Sequence, residues 1–330
     1  MMKKIGLEAN GFAIVSGKYN QPLVENVAKH LKTEPVFLET NNWGNGYPHC
    51  KRPSNVNFAN KKVIIITSLQ YRDIGSPVEE LELMFDACGS ATQIHIIITW
   101  LCGKDDVAHS PGQVPTTAWI GRRIAQMQPK SVNIFDPHQS SHLEFFYPIR
   151  RRRFYFLRLL IEEAKKIGID QIAATDHSST KRAYKVESFF ENETPVIVAI
   201  KEHDHESANS QINTLKMTGE IIGKKIGLFD DMALSLNTLK KSAEALNKQG
   251  AKHVYAFAAH FDPTSEAYEN LKTSFANGWL KEFITTNSNF IDPKYLDLPG
   301  FRVVDVSKNI AEVVQLLISG GSTSPLFQDI

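Results

Sequence analysis

Several short stretches place acids, hydroxyls or cations beside apolar runs. The densest is Phe229-Asp230-Asp231-Met232-Ala233-Leu234-Ser235-Leu236-Asn237-Thr238. An apolar strand pattern, Lys225–Phe229, closes on two adjacent acids, and a small polar loop then leads into helical spacing. Acids at a strand end can hold ribose hydroxyls or metal-bound water, and hydroxyls with backbone N–H groups at a helix start can cradle a phosphate. The same residues also fit a plain polar cap, with Ser235, Asn237 or Thr238 as N-cap and the acids solvated. Spacing alone leaves both open.

Weaker candidates lie elsewhere. Asp136-Pro137-His138 follows an apolar run, and a histidine near a carboxylate suits a metal or a phosphate as well as an ordinary turn. Asp176 precedes hydroxyls and the pair Lys181-Arg182, which suits a sugar phosphate or a solvated helix start. Lys201-Glu202-His203-Asp204-His205-Glu206 is spaced poorly for one tetrahedral metal and reads as a mobile solvated loop. Within it Lys201 is the cation of interest for transition-state charge. The stretch from there to Gly223 lacks a core pattern and reads as a flexible arm. Arg150–Arg153 reads as a solvated inter-domain or subunit surface. Trp43, Tyr47 and Trp100 are core candidates by residue type, although Trp43–Pro48 looks like an exposed turn.

The elements that must position these residues alternate. Strand patterns fall at Phe12–Ser16, Val63–Ser68, His95–Trp100, Ser131–Phe135, Gln171–Thr175, Val196–Ile200, Lys225–Phe229, His253–Ala259, Phe283–Thr286 and Phe301–Val306. Helical spacing falls at Gln21–Leu31, Pro77–Cys88, Thr116–Met127, Phe154–Ile167, Lys181–Phe189, Leu239–Gln249, Pro263–Ser274 and Ile310–Ser319. This rhythm predicts an α/β fold with mainly parallel sheets covered by helices, and 330 residues suggest two domains. Ligands in such sheets bind beyond the carboxyl ends of the strands. Lys+Arg 37 against Asp+Glu 36 argues against a dedicated nucleic-acid binder. No apolar run reaches the ~20 residues of a membrane span. The opening MMKKIGLEANG lacks the apolar region of a secretory signal. Cys50, Cys88 and Cys102 lack CxxC spacing and fit reduced thiols, so a cytoplasmic setting is expected.

Taken together, these segments resemble the ribose-phosphate pyrophosphokinases (phosphoribosyl pyrophosphate synthetases), from Phe12 to Phe327. Asp230-Asp231-Met232 with Ser235 and Thr238 is similar to the family's ribose 5-phosphate loop. Asp136-Pro137-His138 resembles its Asp-x-His segment at the ATP polyphosphate, and Asp176 with Lys181-Arg182 its Pro-Asp-x-x-x-x-Lys-Arg region. Lys201 takes the place of the lysine in its Lys-x-Arg catalytic arm. Gly250–Ala256 through His260 and the ending Ser324-Pro325-Leu326-Phe327 are also similar. Trp43–Pro48 and Gly112–Thr116 look like segments of the plant class II, phosphate-independent enzymes.

The resemblance implies two phosphoribosyltransferase-type (Rossmann-like) domains: residues 1–149, residues 150–308 with the sugar-phosphate loop, and a C-terminal helix and tail, 309–330, packing back on the first domain. It implies an enzyme that transfers the diphosphoryl group of Mg-ATP to the 1-hydroxyl of ribose 5-phosphate, giving phosphoribosyl pyrophosphate and AMP. The catalytic residues would be Lys201 and His203. Asp230, Asp231, Ser235, Asn237 and Thr238 would bind ribose 5-phosphate. Asn45, Tyr47, Lys104 and Asp105 would bind the nucleotide, and His138 and Asp176 would support Mg²⁺. A homo-oligomer, or a hetero-oligomer with a related synthetase, is expected. The chain also departs from the family. Leu236 and Asn237 stand where the loop usually has glycines, Asn45 replaces an Asp, His203 replaces an Arg, and Lys104-Asp105-Asp106 lies where an Arg-Gln-Asp segment usually holds adenine. Two alternatives follow: a catalytically impaired homologue that partners a true synthetase, and a pyrophosphokinase with another ribosyl acceptor.

Overall fold

The computed structural model describes residues 11–71, 76–103, 110–175, 179–190, 196–203 and 213–321, with backbone alone at 199–203 and 213–216. Its strands are β1 (Phe12–Ser16), β2 (Val36–Phe37), β3 (Glu39–Asn42), β4 (Pro48–Lys51), β5 (Lys62–Ser68), β6 (Gln93–Trp100), β7 (Ser131–Phe135), β8 (Arg151–Phe154), β9 (Gln171–Ala173), β10 (Val198–His203), β11 (Asn213–Thr218), β12 (Lys225–Ala233), β13 (His253–Phe261), β14 (Glu282–Thr286) and β15 (Phe301–Val304). The helices are α1 (Gln21–His30), α2 (Pro77–Ala87), α3 (Thr116–Gln126), α4 (Leu157–Ile167), α5 (Thr180–Glu187), α6 (Asn237–Lys248), α7 (Ala267–Ala276), α8 (Pro293–Leu296) and α9 (Ser307–Ser319).

Two compact units result. The first runs to Tyr155 and takes back Ser288–Phe290 and the segment beginning at Asp305; the second holds Phe156–Asn287 and Ile291–Val304. The first is built on a parallel sheet in the order β2-β1-β5-β6-β7-β8. Its central strands read as unbroken β-branched runs because both faces are covered. Val63, Ile65, Ile96, Ile98, Val132 and Ile134 pack with Leu81 and Met84 of α2 and Ile120 and Ile124 of α3. The alternate residues Ile14, Ile64, Ile66 and Ile97 are buried too. Helix α9 packs along α1, where His30 Nε2 lies 3.2 Å from Ser307 Oγ, and Lys62 Nζ donates to the Ile318 carbonyl at 2.7 Å. Ser288–Phe290 are held by Thr99 Oγ1, which donates to the Ser288 carbonyl at 2.8 Å, and by Ser68 Oγ, which donates to Asn289 Oδ1 at 2.8 Å.

The second unit carries a parallel sheet in the order β15-β14-β13-β12-β9. Phe229 and Phe257 stack on neighbouring strands with ring centroids 4.4 Å apart. The α/β class with parallel, helix-covered sheets is therefore the observed architecture.

Several local expectations are corrected. Arg151–Phe154 is the edge strand β8, not a linker leading into a helix from Phe154, and α4 begins at Leu157. Charged side chains on an edge strand discourage pairing with other chains. The stretch expected as a flexible arm contains β11, which pairs antiparallel with β10 from Val198↔Thr218 to His203↔Asn213. Its backbone hydrogen bonds need no apolar side-chain pattern, so the pattern gave no sign of it. Residues 39–51 form the hairpin β3–β4 around the expected turn, with Trp43 61% and Tyr47 70% exposed, so neither is a core residue; Trp100 is buried.

Candidate active site

The diacid does not cap a strand. Strand β12 continues through it to Ala233, pairing Asp230↔Ala258, Met232↔His260 and Ala233↔Phe261 with β13. Alternation along the strand then separates the two acids: Asp231 is buried and Asp230 keeps a partly exposed edge. The Asp231 N–H donates to Asp230 Oδ1 at 2.9 Å, and Arg182 of α5 lies 3.7 Å from Asp231 Oδ2. Thr175, just beyond β9, has its hydroxyl 3.0 Å from Ser179 Oγ and 3.5 Å from Asp230 Oδ2, and its carbonyl accepts from Ser242 Oγ of α6 at 2.8 Å. Close protein surroundings first, and the Asp231 charge second, push the Asp230 carboxyl up to about 8, while Arg182 pulls the other way. Burial and the neighbouring carboxylate together favour a proton or an added positive charge at Asp230.

The loop after the strand is tied down from behind. Leu236 sits at φ 63, ψ 11, in the left-handed region that glycine adopts freely, and its side chain is buried in the core. It is also the N-cap of α6 and makes no side-chain capping bond, so the cap assigned to Ser235, Asn237 or Thr238 does not form. Ser235 Oγ accepts from the Asn237 N–H at 3.4 Å. Asn237 opens α6 and donates through Nδ2 to Glu266 Oε2 at 2.8 Å. Asn270 Nδ2 donates to the Ser235 carbonyl at 2.8 Å and to Asn237 Oδ1 at 2.9 Å. Thr238 is exposed.

In the first unit, Asp136 is buried at φ 40 with its N–H donating to the Phe154 carbonyl at 2.8 Å. His138 is half-buried, its ring 6.4 Å from that of His142. Asn45 and Tyr47 lie in the β3–β4 turn, where the Trp43 N–H donates to the Tyr47 carbonyl at 2.7 Å and the Tyr47 N–H to Asn45 Oδ1 at 3.4 Å. Lys201 and His203 lie in β10, opposite Leu215 and Asn213, rather than in a solvated loop; Asp204-His205-Glu206 lie outside the described residues. Lys104, Asp105 and Asp176 also lie outside them. The structure therefore joins Asp230 and Asp231 with Thr175, Ser179, Arg182 and Ser242, and Ser235 and Asn237 with Glu266 and Asn270. Sequence reasoning missed Ser242, Glu266 and Asn270. Ser242 and Asn270 lie in α6 and α7 and Glu266 just before α7, and only their hydrogen bonds reveal them. No cluster of three or more metal-binding side chains occurs among the described residues. Among them, too, no helix is long and apolar enough to cross a membrane.

Two family models cover most of the chain: the N-terminal domain of ribose phosphate pyrophosphokinase matches residues 12–126, and the phosphoribosyl synthetase-associated domain matches residues 165–328. The chain belongs to the ribose-phosphate pyrophosphokinase family. Curated members of the family are similar along nearly their whole length. The ribose-phosphate pyrophosphokinase of Prochlorococcus marinus is 24% identical over 96% of this chain and 93% of its own. That of Caldanaerobacter subterraneus is 26% identical over 96% and 98%. The crystal structure of phosphoribosylpyrophosphate synthetase from Mycobacterium smegmatis has the same fold, with a TM-score of 0.81 at 18% identity over 94% of this chain and 99% of that one. Leu236 takes a backbone conformation that glycine adopts freely, at a position where the sequence resemblance puts glycine.

Proposed function

We propose that the protein is a ribose-phosphate diphosphokinase. The 1-hydroxyl oxygen of ribose 5-phosphate attacks the β-phosphorus of ATP, the bond to the α–β bridging oxygen breaks, AMP leaves, and the hydroxyl proton is lost. The observation that carries this reading is the Asp230–Asp231 pair on β12, followed by a loop in which Leu236 turns left-handed to open α6. Partly exposed Asp230 accepts from ribose hydroxyls, and Asp231 with Arg182 fixes its position. The N–H groups that begin α6 face the 5-phosphate with Ser235 and Thr238. Lys201, with His203 two residues on in β10, supplies positive charge to the transferring diphosphoryl group. Asn45, Tyr47, Lys104 and Asp105 hold the nucleotide.

Mg²⁺ commonly takes one or two protein groups besides phosphate oxygens and water, which suits an ion that comes with ATP. His138 and Asp176 would support it. Bound there, it would neutralise polyphosphate charge.

A second reading rests on Glu266. Its carboxylate is tied to Asn237 beside the phosphate end of the loop, where it opposes an anionic group. This favours a ribosyl acceptor with less charge at the 5-position. AMP release from ATP, measured with ribose 5-phosphate and with ribose, separates the readings. Turnover with ribose 5-phosphate alone supports the first, a preference for the neutral sugar the second. No AMP with either leaves the impaired homologue that acts through a synthetase partner. Turnover without inorganic phosphate would place the chain with the class II enzymes.

A further inference from the structure

Helix α2 opens with Ser76 as its N-cap, then Pro77, Glu79 and Glu80. Acids in a first helical turn ordinarily complement the helix dipole from the surface, and exposed Glu79 can do so. Glu80 is 4% exposed and turned inward. One oxygen, Oε1, accepts from the Lys18 N–H at 2.9 Å and from the Thr40 hydroxyl. The other, Oε2, has no hydrogen-bond partner among the described residues. Burial pushes the carboxyl above the usual range, and the donors from Lys18 and Thr40 only partly offset it. A buried acid with an unsatisfied oxygen is costly where a leucine would pack freely.

The directed bonds supply a reason for it. They join three segments far apart in sequence: the turn after β1, strand β3 and helix α2. Gly17 keeps that arrangement possible, because a side chain there would collide with the Glu80 carboxylate. Thr40 lies in the first arm of the β3–β4 hairpin, paired with Cys50. Beneath the hairpin is a cavity of about 60 Å³ lined by Glu80, Thr40, Asn41, Asn42, Gly46 and His49, among others. The hairpin is tied to α2 through Thr40, while its tip presents Trp43 and Tyr47 to solvent.

We propose that Glu80 is a positioning residue for the nucleotide: its carboxyl fixes the hairpin that carries Asn45 and Tyr47. This rests on the assignment of Asn45 and Tyr47 to ATP. Removing the tie leaves the chemistry at β12 untouched and lets the hairpin move, so ATP affinity falls while the sugar site is unchanged.

The test uses Thr40→Val, which keeps the β-branched shape and removes the donor, with Glu80→Gln, whose amide oxygen can still accept both bonds. Hydrogen exchange of residues 41–49 in the unliganded protein reads the hairpin without any activity, and calorimetric titration with ATP reads binding. Thr40→Val is expected to speed exchange in the hairpin and weaken ATP by about tenfold, while Glu80→Gln alone, which still accepts both bonds, keeps both near wild type and ribose 5-phosphate affinity is constant in each variant. Unchanged exchange in Thr40→Val overturns the proposal. So does an unchanged ATP affinity, and an Asn45→Ala, Tyr47→Ala control identifies what failed. If that control weakens ATP and Thr40→Val does not, the positioning role is wrong; if the control binds ATP normally, the hairpin is not the nucleotide site.

Discussion

Each unit keeps an acid inside the protein, and the two are provided for differently. Glu80 in the first unit receives a backbone N–H and a hydroxyl from its own chain and retains a small polar cavity beside it. Asp230 in the second receives one backbone N–H, a long contact from Thr175, and a second carboxylate as its neighbour. Both are pushed upward by burial, but only Asp230 is also pushed by a like charge. Among the described residues Glu80 keeps one oxygen without a donor, while each oxygen of Asp230 meets one, Oδ2 only at 3.5 Å. What separates the two is the like charge beside Asp230, which makes its ionised form costlier than burial alone does.

The largest effect is expected from removing the cation proposed for the transferring group. Lys201→Ala should fold normally and lower diphosphoryl transfer by roughly 10²–10³-fold. A purified variant turning over within a few-fold of wild type would remove Lys201 from the mechanism.

Next comes the cost of keeping Asp230. Its folded-state pKa is raised to about 8, so between pH 4 and 8 the folded protein holds a proton that the unfolded chain releases. Stability should therefore fall as pH rises through that window. Asp230→Asn should flatten the fall and be more stable at pH 8 by about 1–3 kcal/mol, discounted for its exposed edge, while losing ribose 5-phosphate binding. Parallel denaturation curves for the two proteins at pH 5 and pH 8 would break the contrast between the two acids.

The loop gives a smaller, two-sided effect. Leu236→Gly relieves a left-handed residue by about 1–2 kcal/mol but removes a buried side chain worth about 2–3 kcal/mol. The variant should be slightly less stable. With Asn237→Gly added, ribose 5-phosphate should bind tighter by about 1–3 kcal/mol if two charge-assisted bonds are regained. Calorimetry showing weaker binding would mean that the leucine loop is itself the better cradle. The smallest change expected is Asn237→Ala, which removes the bonds to Glu266 and Asn270 and should cost about 1 kcal/mol of stability by urea denaturation.

The β-branched runs at Val63–Ser68 and His95–Trp100 and the helix signs at Pro77 and Thr116 were enough to place parallel strands and covering helices, because burial on both faces demands continuous apolar sequence. Asp230 and Asp231 stood out because adjacent acids after an apolar run are conspicuous. The turn at Trp43–Pro48 was legible, but the strands β3 and β4 that flank it and the β10–β11 pair were not. Trp43 and Tyr47 are apolar by type yet exposed, and β10–β11 is held by backbone bonds that side-chain periodicity does not encode. Glu80 and Glu79 are identical in type and adjacent in sequence, and only packing distinguishes their roles.

The sequence by itself determined the α/β architecture, the neutral charge balance and the segments where polar chemistry is concentrated, since each depends on local composition and period. The tertiary structure alone decided that β12 runs on through the diacid, that Leu236 takes a glycine-like turn, and that Glu80 faces inward beneath the hairpin. Those outcomes depend on partners 30 or more positions away, such as Thr175 for Asp230, Asn270 for Ser235 and Thr40 for Glu80. A side chain's protonation and direction are set by what surrounds it in space, and no local pattern carries that information.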